Sequence, residues 1–195
     1  MIGRRQWTGG RPPETMSGGT TPFRTEQGRV AAGMGAAIAT SLSVPVLLAW
    51  VHPFNLPDLS EPTARLAYAV RWEGPVLACL GLAVANVARL RFFSAADIGG
   101  SAGSAVSPEV GRARAVLQNT LEQAVFAFGS HCALAVQVSP RWAPVLPGLV
   151  GLFCTGRALF WLGYRHGAAA RAFGFGLTFY PSFGACLAAT ALLFC

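Results

Sequence analysis

Two uncharged stretches fix the class of this chain before anything else is read. Val30 to Val51 runs twenty-two residues without an Asp, Glu, Lys or Arg, and Ala172 to Cys195 runs twenty-four. A helix needs about 20 apolar residues to cross the hydrocarbon core of a bilayer, where no water can satisfy an unpaired backbone. With 195 residues, only 12% of them charged, and a mean hydropathy of +0.46, the chain is a polytopic membrane protein. Its net charge of +7 rests on fifteen arginines and no lysine. Most of these arginines stand in short connections between apolar segments, where positive charge sets topology. The basic balance therefore does not point to nucleic acid.

Prolines, glycines and arginines divide the chain into an all-α arrangement of five membrane spans. Residues 1–29, rich in Gly, Pro, Ser, Thr and Arg and without hydrophobic period, read as a disordered cytoplasmic tail. Residues 30–51 form the first span, followed by H-P-F-N-L-P-D-L-S-E-P, too broken by proline to continue a helix. The second span is placed at roughly Arg71 to Arg91, the third at Gly111–Val138 and the fourth at Ala143–Tyr164. The fifth begins near Ala172. On this reading eleven arginines face the N-terminal side and three the other, with Arg157 inside the membrane. That bias predicts a cytoplasmic N-terminus and a C-terminus on the far side of a bacterial inner membrane or an endomembrane.

Within the third span lies a polar ladder, Arg112, Asn119, Glu122 and Gln123, in R-A-R-A-V-L-Q-N-T-L-E-Q-A-V-F-A-F. Spacings of seven and three residues put Arg112, Asn119 and Glu122 on one helical face. A carboxylate at mid-bilayer costs about 2.5–3.5 kcal/mol on insertion scales and calls for a partner. Glu122 lies eight residues into its span from Arg114, and Arg157 lies eight residues before Arg165 in the antiparallel fourth span. Each charge is then ~12 Å below the same interface, and a structural ion pair between Glu122 and Arg157 is expected. Thr178 and Tyr180 reach similar depth from Arg171. The outcome is a polar pocket open to the cytoplasm, lined by Arg112, Asn119, Glu122, Arg157 and Tyr164.

Other residue types suggest less. Cys79, Cys132, Cys154, Cys186 and Cys195 all fall in apolar runs without a C-x-x-C pair, and read as reduced packing residues. His52, His131 and His166 stand singly with no second ligand at helical spacing, so no metal site is expected. Gly174 and Gly176 read as points of close helix contact.

Several of these segments resemble one family. R-A-V-L-Q-N-T-L-E-Q is similar to the N-x-x-E signature in the second helix of the MAPEG superfamily, the membrane-associated proteins of eicosanoid and glutathione metabolism. R-A-L-F-W-L-G-Y-R-H-G-A-A-A-R-A-F-G-F-G-L-T-F-Y-P resembles that family's third helix, its connection and the start of its fourth. Within it, R-x-x-x-W and R-x-F-G-F-G-L-T-F-x-P look like the mattrin-like branch, and V-A-R-L-R-F-F resembles the end of the family's first helix. The resemblance covers roughly residues 72–195, leaving the tail and first span as additions.

The resemblance implies a four-helix module that assembles as a homotrimer and holds glutathione between subunits. It would make Asn119, Glu122, Arg112, Tyr164 and either Arg89 or Arg91 glutathione-binding residues. Arg171 would be the catalytic arginine that stabilises the thiolate. The implied activity is that of a glutathione transferase or peroxidase acting on lipophilic electrophiles dissolved in the bilayer. Three positions depart from the enzymes' pattern: Ala115 stands where an arginine precedes the motif asparagine, Phe160 where histidine is frequent, and Ala172 where a serine activator follows Arg171. They support the alternative of a non-catalytic, mattrin-like protein whose pocket takes a ligand, lipid or protein. A small transporter is a weaker third reading, since five spans give no inverted repeat.

Overall fold

The computed structural model describes residues 20–51, 56–99 and 106–194, and among these there are helices and no strands. Six helices follow in order: α1 Thr20–Val51, α2 Pro62–Trp72, α3 Gly74–Phe92, α4 Pro108–Gln137, α5 Val145–Gly163 and α6 Ala168–Leu192. Short 3-10 turns precede and follow α5. Helices α2 and α3 make one kinked span: Glu73 keeps helical dihedrals, and its N–H still reaches the Ala69 and Val70 carbonyls. Pro75, which has no N–H to give, sits just beyond the kink. Four stretches are long and apolar enough to cross a membrane: Pro22–Val51, Pro62–Phe92, Pro140–His166 and Ala168–Leu192. The fifth long helix, α4, carries the polar ladder and packs between α3 and α6. The result is the expected all-α membrane bundle.

Two boundaries differ from the sequence reading. Residues 20–29, expected in the disordered tail, are the first turns of α1, exposed from residue 22 on. They continue the helix because it runs on beside the α5–α6 connection, where the Glu26 carboxylate lies next to Gly167. Residues 1–19 of that tail, His52 and Cys195 lie outside the described residues. The second span begins at Pro62, not near Arg71, because the charge of Arg65 does not end it. Buried at 7% exposure, Arg65 donates to the Leu59 and Ser60 carbonyls and, across the bundle, to those of Ala135 and Val136. It therefore closes the C-terminal end of α4, whose last carbonyls have no helical partners.

Helix α6 is the hub, and its glycines explain why. Gly174 faces α5, where a Cβ would collide with the backbones of Phe160 and Gly156. Gly176, two residues on and so on the opposite side, faces α1, where a Cβ would strike Ala37. Two further contacts of this kind, Gly156 against α6 and Gly33 against Ala172, complete both crossings. Small residues let helix backbones approach closely in lipid, where dispersion replaces the hydrophobic drive. Gly167, at φ +97°, occupies the left-handed region between α5 and α6 that a glycine enters without strain.

Candidate functional site

At the Tyr164 end of the bundle, α1, α4, α5 and α6 enclose a cavity of about 370 Å³. Its polar groups are Asn119 from α4, Tyr164 from the turn after α5, and Arg171 from α6. Arg171 lies over the Tyr164 ring, its guanidinium carbon 4.6 Å from the ring centre. The remaining wall is apolar: Val30 and Met34 of α1, Ala115, Phe160, Ala168, Ala172 and Phe175. The contribution of α1 could not be read from the sequence, since nothing in an added span says which face of the bundle it covers.

Beneath the cavity, Arg157 is 4% exposed and holds the three span helices together. Its Nη1 donates to Asn119 Oδ1 at 2.8 Å and its Nη2 to Thr178 Oγ1 at 2.6 Å. Thr178 in turn donates to the Phe175 carbonyl, so both its proton and its lone pair are engaged. The guanidinium carbon is 4.5 Å from the centre of the Phe160 ring, a buried cation–π contact. Nε has no partner.

The expected Glu122–Arg157 ion pair is absent. Glu122 is exposed on α4, and its Oε1 accepts from Gln118 Nε2 at 2.9 Å. Counting residues located the contact only to within one turn and left rotation about the axis open. Residues three apart on a helix differ by about 60° around the axis, enough to aim Asn119 at Arg157 and turn Glu122 away. The neutral amide takes the cation's arm instead.

The other expected site residues are dispersed within the single chain. Arg112 is exposed and pairs with Glu109 at 3.0 Å. Arg89 donates to Asn86 Oδ1 at 3.1 Å on the surface. Arg91 donates through Nε to the Asp97 carbonyl at 3.3 Å. Asp97 itself organises the α3–α4 connection: Oδ2 accepts from Ser94 Oγ at 2.6 Å and Oδ1 from the N–H of Ser107 at 3.0 Å. Ser107 caps α4 through the Val110 N–H. The Ser94 hydroxyl, followed by the Ser107 donors, holds the Asp97 carboxyl below its usual range.

A second buried polar centre escaped the sequence reading. Glu73, at the α2–α3 kink, and His131 of α4 are each 1% exposed, and Oε1 meets Nδ1 at 2.5 Å. Glu73 Oε2 and His131 Nε2 have no partner. The signal was available: a lone carboxylate and a lone imidazole in apolar helices at similar depth each need the other. Among the described residues no group of three or more His, Cys, Asp or Glu side chains could hold a metal ion.

The sequence pattern of the MAPEG family matches residues 74–191, from the start of α3 to near the end of α6. The chain belongs to the MAPEG family. In this MAPEG protein the family match covers α3–α6, while α1 and α2 lie outside it. It is also similar to Transmembrane protein 79 of Mus musculus, 28% identical over 178 residues, and of Bos taurus, 28% identical over 179. Each alignment covers 88% of this chain and 43% of the relative, so the chain spans less than half the length of the curated relatives it matches. No solved structure matches it.

Proposed function

We propose that this MAPEG protein uses the cavity at the Tyr164 end to bind an anionic lipophile, and not to activate glutathione. The observation that carries this reading is the fate of three positions. Ala115, Phe160 and Ala172 replace polar residues expected of the enzymes, and all three line the cavity. Asn119, the motif asparagine, is occupied by Arg157. What remains is one cation, one phenol and a greasy wall, which suits a carboxylate or phosphate head with an apolar tail. Phe175 stacks on Phe179 at 5.8 Å and Phe179 on Phe183 at 5.5 Å. This ladder leads from the cavity towards an apolar groove of about 970 Å³ that Phe179 and Phe183 line. A tail laid along it would stay out of water.

A glutathione-dependent transferase or peroxidase is the second reading, favoured by Arg171, whose guanidinium reaches into the cavity where it would favour a thiolate. On either reading the chain assembles as a trimer with its N-terminus cytoplasmic. Glu122 supports assembly, because it is exposed beside Leu121 and Val125, and a carboxylate at that depth should face protein or water and not lipid.

The deciding experiment is titration of the detergent-purified chain with oleate and, separately, with glutathione, by calorimetry with ultraviolet detection of thiolate. Oleate binding that weakens about ten- to hundredfold in Arg171→Ala, the loss of one charge-assisted contact, is expected. Glutathione binding with thiolate absorbance, and no oleate binding, would overturn the proposal in favour of the enzyme.

A further inference from the structure

The wide groove at the far end of the phenylalanine ladder carries an inference of its own. It encloses about 970 Å³, and its lip includes the exposed Ile38, Leu42 and Val46 at successive turns of α1. Along α6 it extends from Phe179 to Leu192, about 20 Å at the rise of a helix. Among the described residues no Asp, Glu, Lys, Arg or His lines it. An ionised headgroup would find no counter-charge there, so the groove suits an uncharged molecule that enters from the bilayer.

One polar group in its wall is out of keeping. Ser41 of α1 lines the groove at 7% exposure, and its Oγ has no partner. Its neighbours behave otherwise: the Thr40 and Ser43 hydroxyls donate to their own helix, at the Ala36 and Ala39 carbonyls. Four residues after Ser41 stands Pro45, inside the helix and in the same groove wall. Proline has no N–H, so the Ser41 carbonyl lacks the donor that the helix would otherwise supply. One residue thus offers a hydroxyl to donate and a carbonyl to accept. A hydrocarbon tail from the bilayer would fill the space beside them and leave both unmet, which is costly away from water.

We propose that the groove binds a long-chain, uncharged alcohol with its hydroxyl seated at Ser41. The Ser41 hydroxyl donates to the alcohol oxygen, and the alcohol O–H donates to the Ser41 carbonyl. An ester, ketone or ether answers only the first of these groups, and a carboxylate brings a charge with no partner. The chain has room on one side. Gly33 meets Ala172 and Ala37 meets Gly176, so α1 and α6 run parallel and Ser41 comes level with Tyr180. The alcohol head therefore lies near the Phe179 end of the groove, and its chain runs towards Leu192. The proposal does not rest on the reading of the Tyr164 cavity, because an uncharged head makes no use of Arg171.

The test titrates the full chain in detergent micelles, by calorimetry, with oleyl alcohol and separately with oleyl methyl ether. The ether has the same chain and accepts a hydrogen bond but cannot donate one. Saturable binding of the alcohol is expected, about two- to tenfold tighter than the ether, the factor that one neutral hydrogen bond supplies. Ser41→Ala should weaken both ligands by a similar factor and leave the preference for the alcohol intact. Pro45→Ala should do the opposite. It returns an N–H to the carbonyl of residue 41, so the preference should vanish while the ether binds as before. Ser43→Ala, which removes a hydroxyl already committed to its own helix, should change neither affinity. Circular dichroism and thermal melts establish that each variant is folded. The proposal is overturned if the folded parent binds no alcohol or binds it no tighter than the ether. It is equally overturned if Ser41→Ala and Pro45→Ala leave both affinities at the parent values.

Discussion

The two buried polar centres solve the same problem in opposite ways. Glu73 and His131 pair through Oε1 and Nδ1 and are almost wholly buried, each keeping one polar atom without a partner. Near the Tyr164 end, Arg157 has no carboxylate among its described partners and is held by an amide, a hydroxyl and an aromatic face, directly below an open cavity. A closed pair of complementary groups is a fastening. A cation held only by neutral groups keeps its charge available to whatever enters beside it. Placement of the charge, more than its presence, separates the structural centre from the candidate binding site.

That contrast can be broken most forcefully at the closed centre. Glu73→Ala or His131→Ala should each cost about 3–5 kcal/mol, because each strands a buried polar partner. The doubly apolar Glu73→Leu/His131→Leu should recover much of the loss, and thermal melts in detergent would show it. If the single variants melt like the parent, the pair is no fastening. At the α5–α6 crossing, Gly174→Ala should destabilise by about 1–3 kcal/mol through overpacking. It should also disturb ligand binding, since the displaced residue is Phe160 of the cavity wall. Gly184→Ala, which meets nothing within 4 Å, is the control.

At the open centre, Thr178→Val removes the acceptor for Arg157 Nη2 at nearly constant shape. A cost of about 1–3 kcal/mol is expected, smaller than at Glu73 if Arg157 can turn to another acceptor. Comparable losses at the two centres would erase the distinction. The smallest effect should come from acid. The Asp97 carboxyl is held low by Ser94 and Ser107, so its contribution is fully present above the ordinary carboxylate value of about 3.9. It is lost as pH falls through the lower value it has in the fold. Hydrogen exchange at the Ser107 and Val110 amides should lose protection in that acid window, while amides in the middle of α5 should not.

How much of this was legible follows a physical line. Span existence was readable because an uncharged run of twenty or so residues has few other fates. Depth was readable only to within a turn: Thr178 does reach Arg157, but so does Asn119, which counting residues puts one turn above it, level with Phe160. Rotation was not, so Glu122 was assigned the contact that Asn119 makes. Opening the second span at Arg71 left Arg65 outside it, yet carbonyls from the end of α4 hold Arg65 inside the bundle. His131 was dismissed for lacking a neighbour at helical spacing, when its partner lay 58 residues away on another helix. The cover that α1 places over the cavity needed the glycine faces of α6, which make sense only once all the helices are in register.

Those two glycine faces also have a consequence for how the molecule is made. Gly33 and Ala37 of α1 find their seat on Ala172 and Gly176, so α1 must wait for the synthesis of well over a hundred further residues before it docks there. Until then its small-residue stripe is without this seat, and the cavity at the Tyr164 end has no roof. The cavity is therefore complete only once synthesis has run into α6.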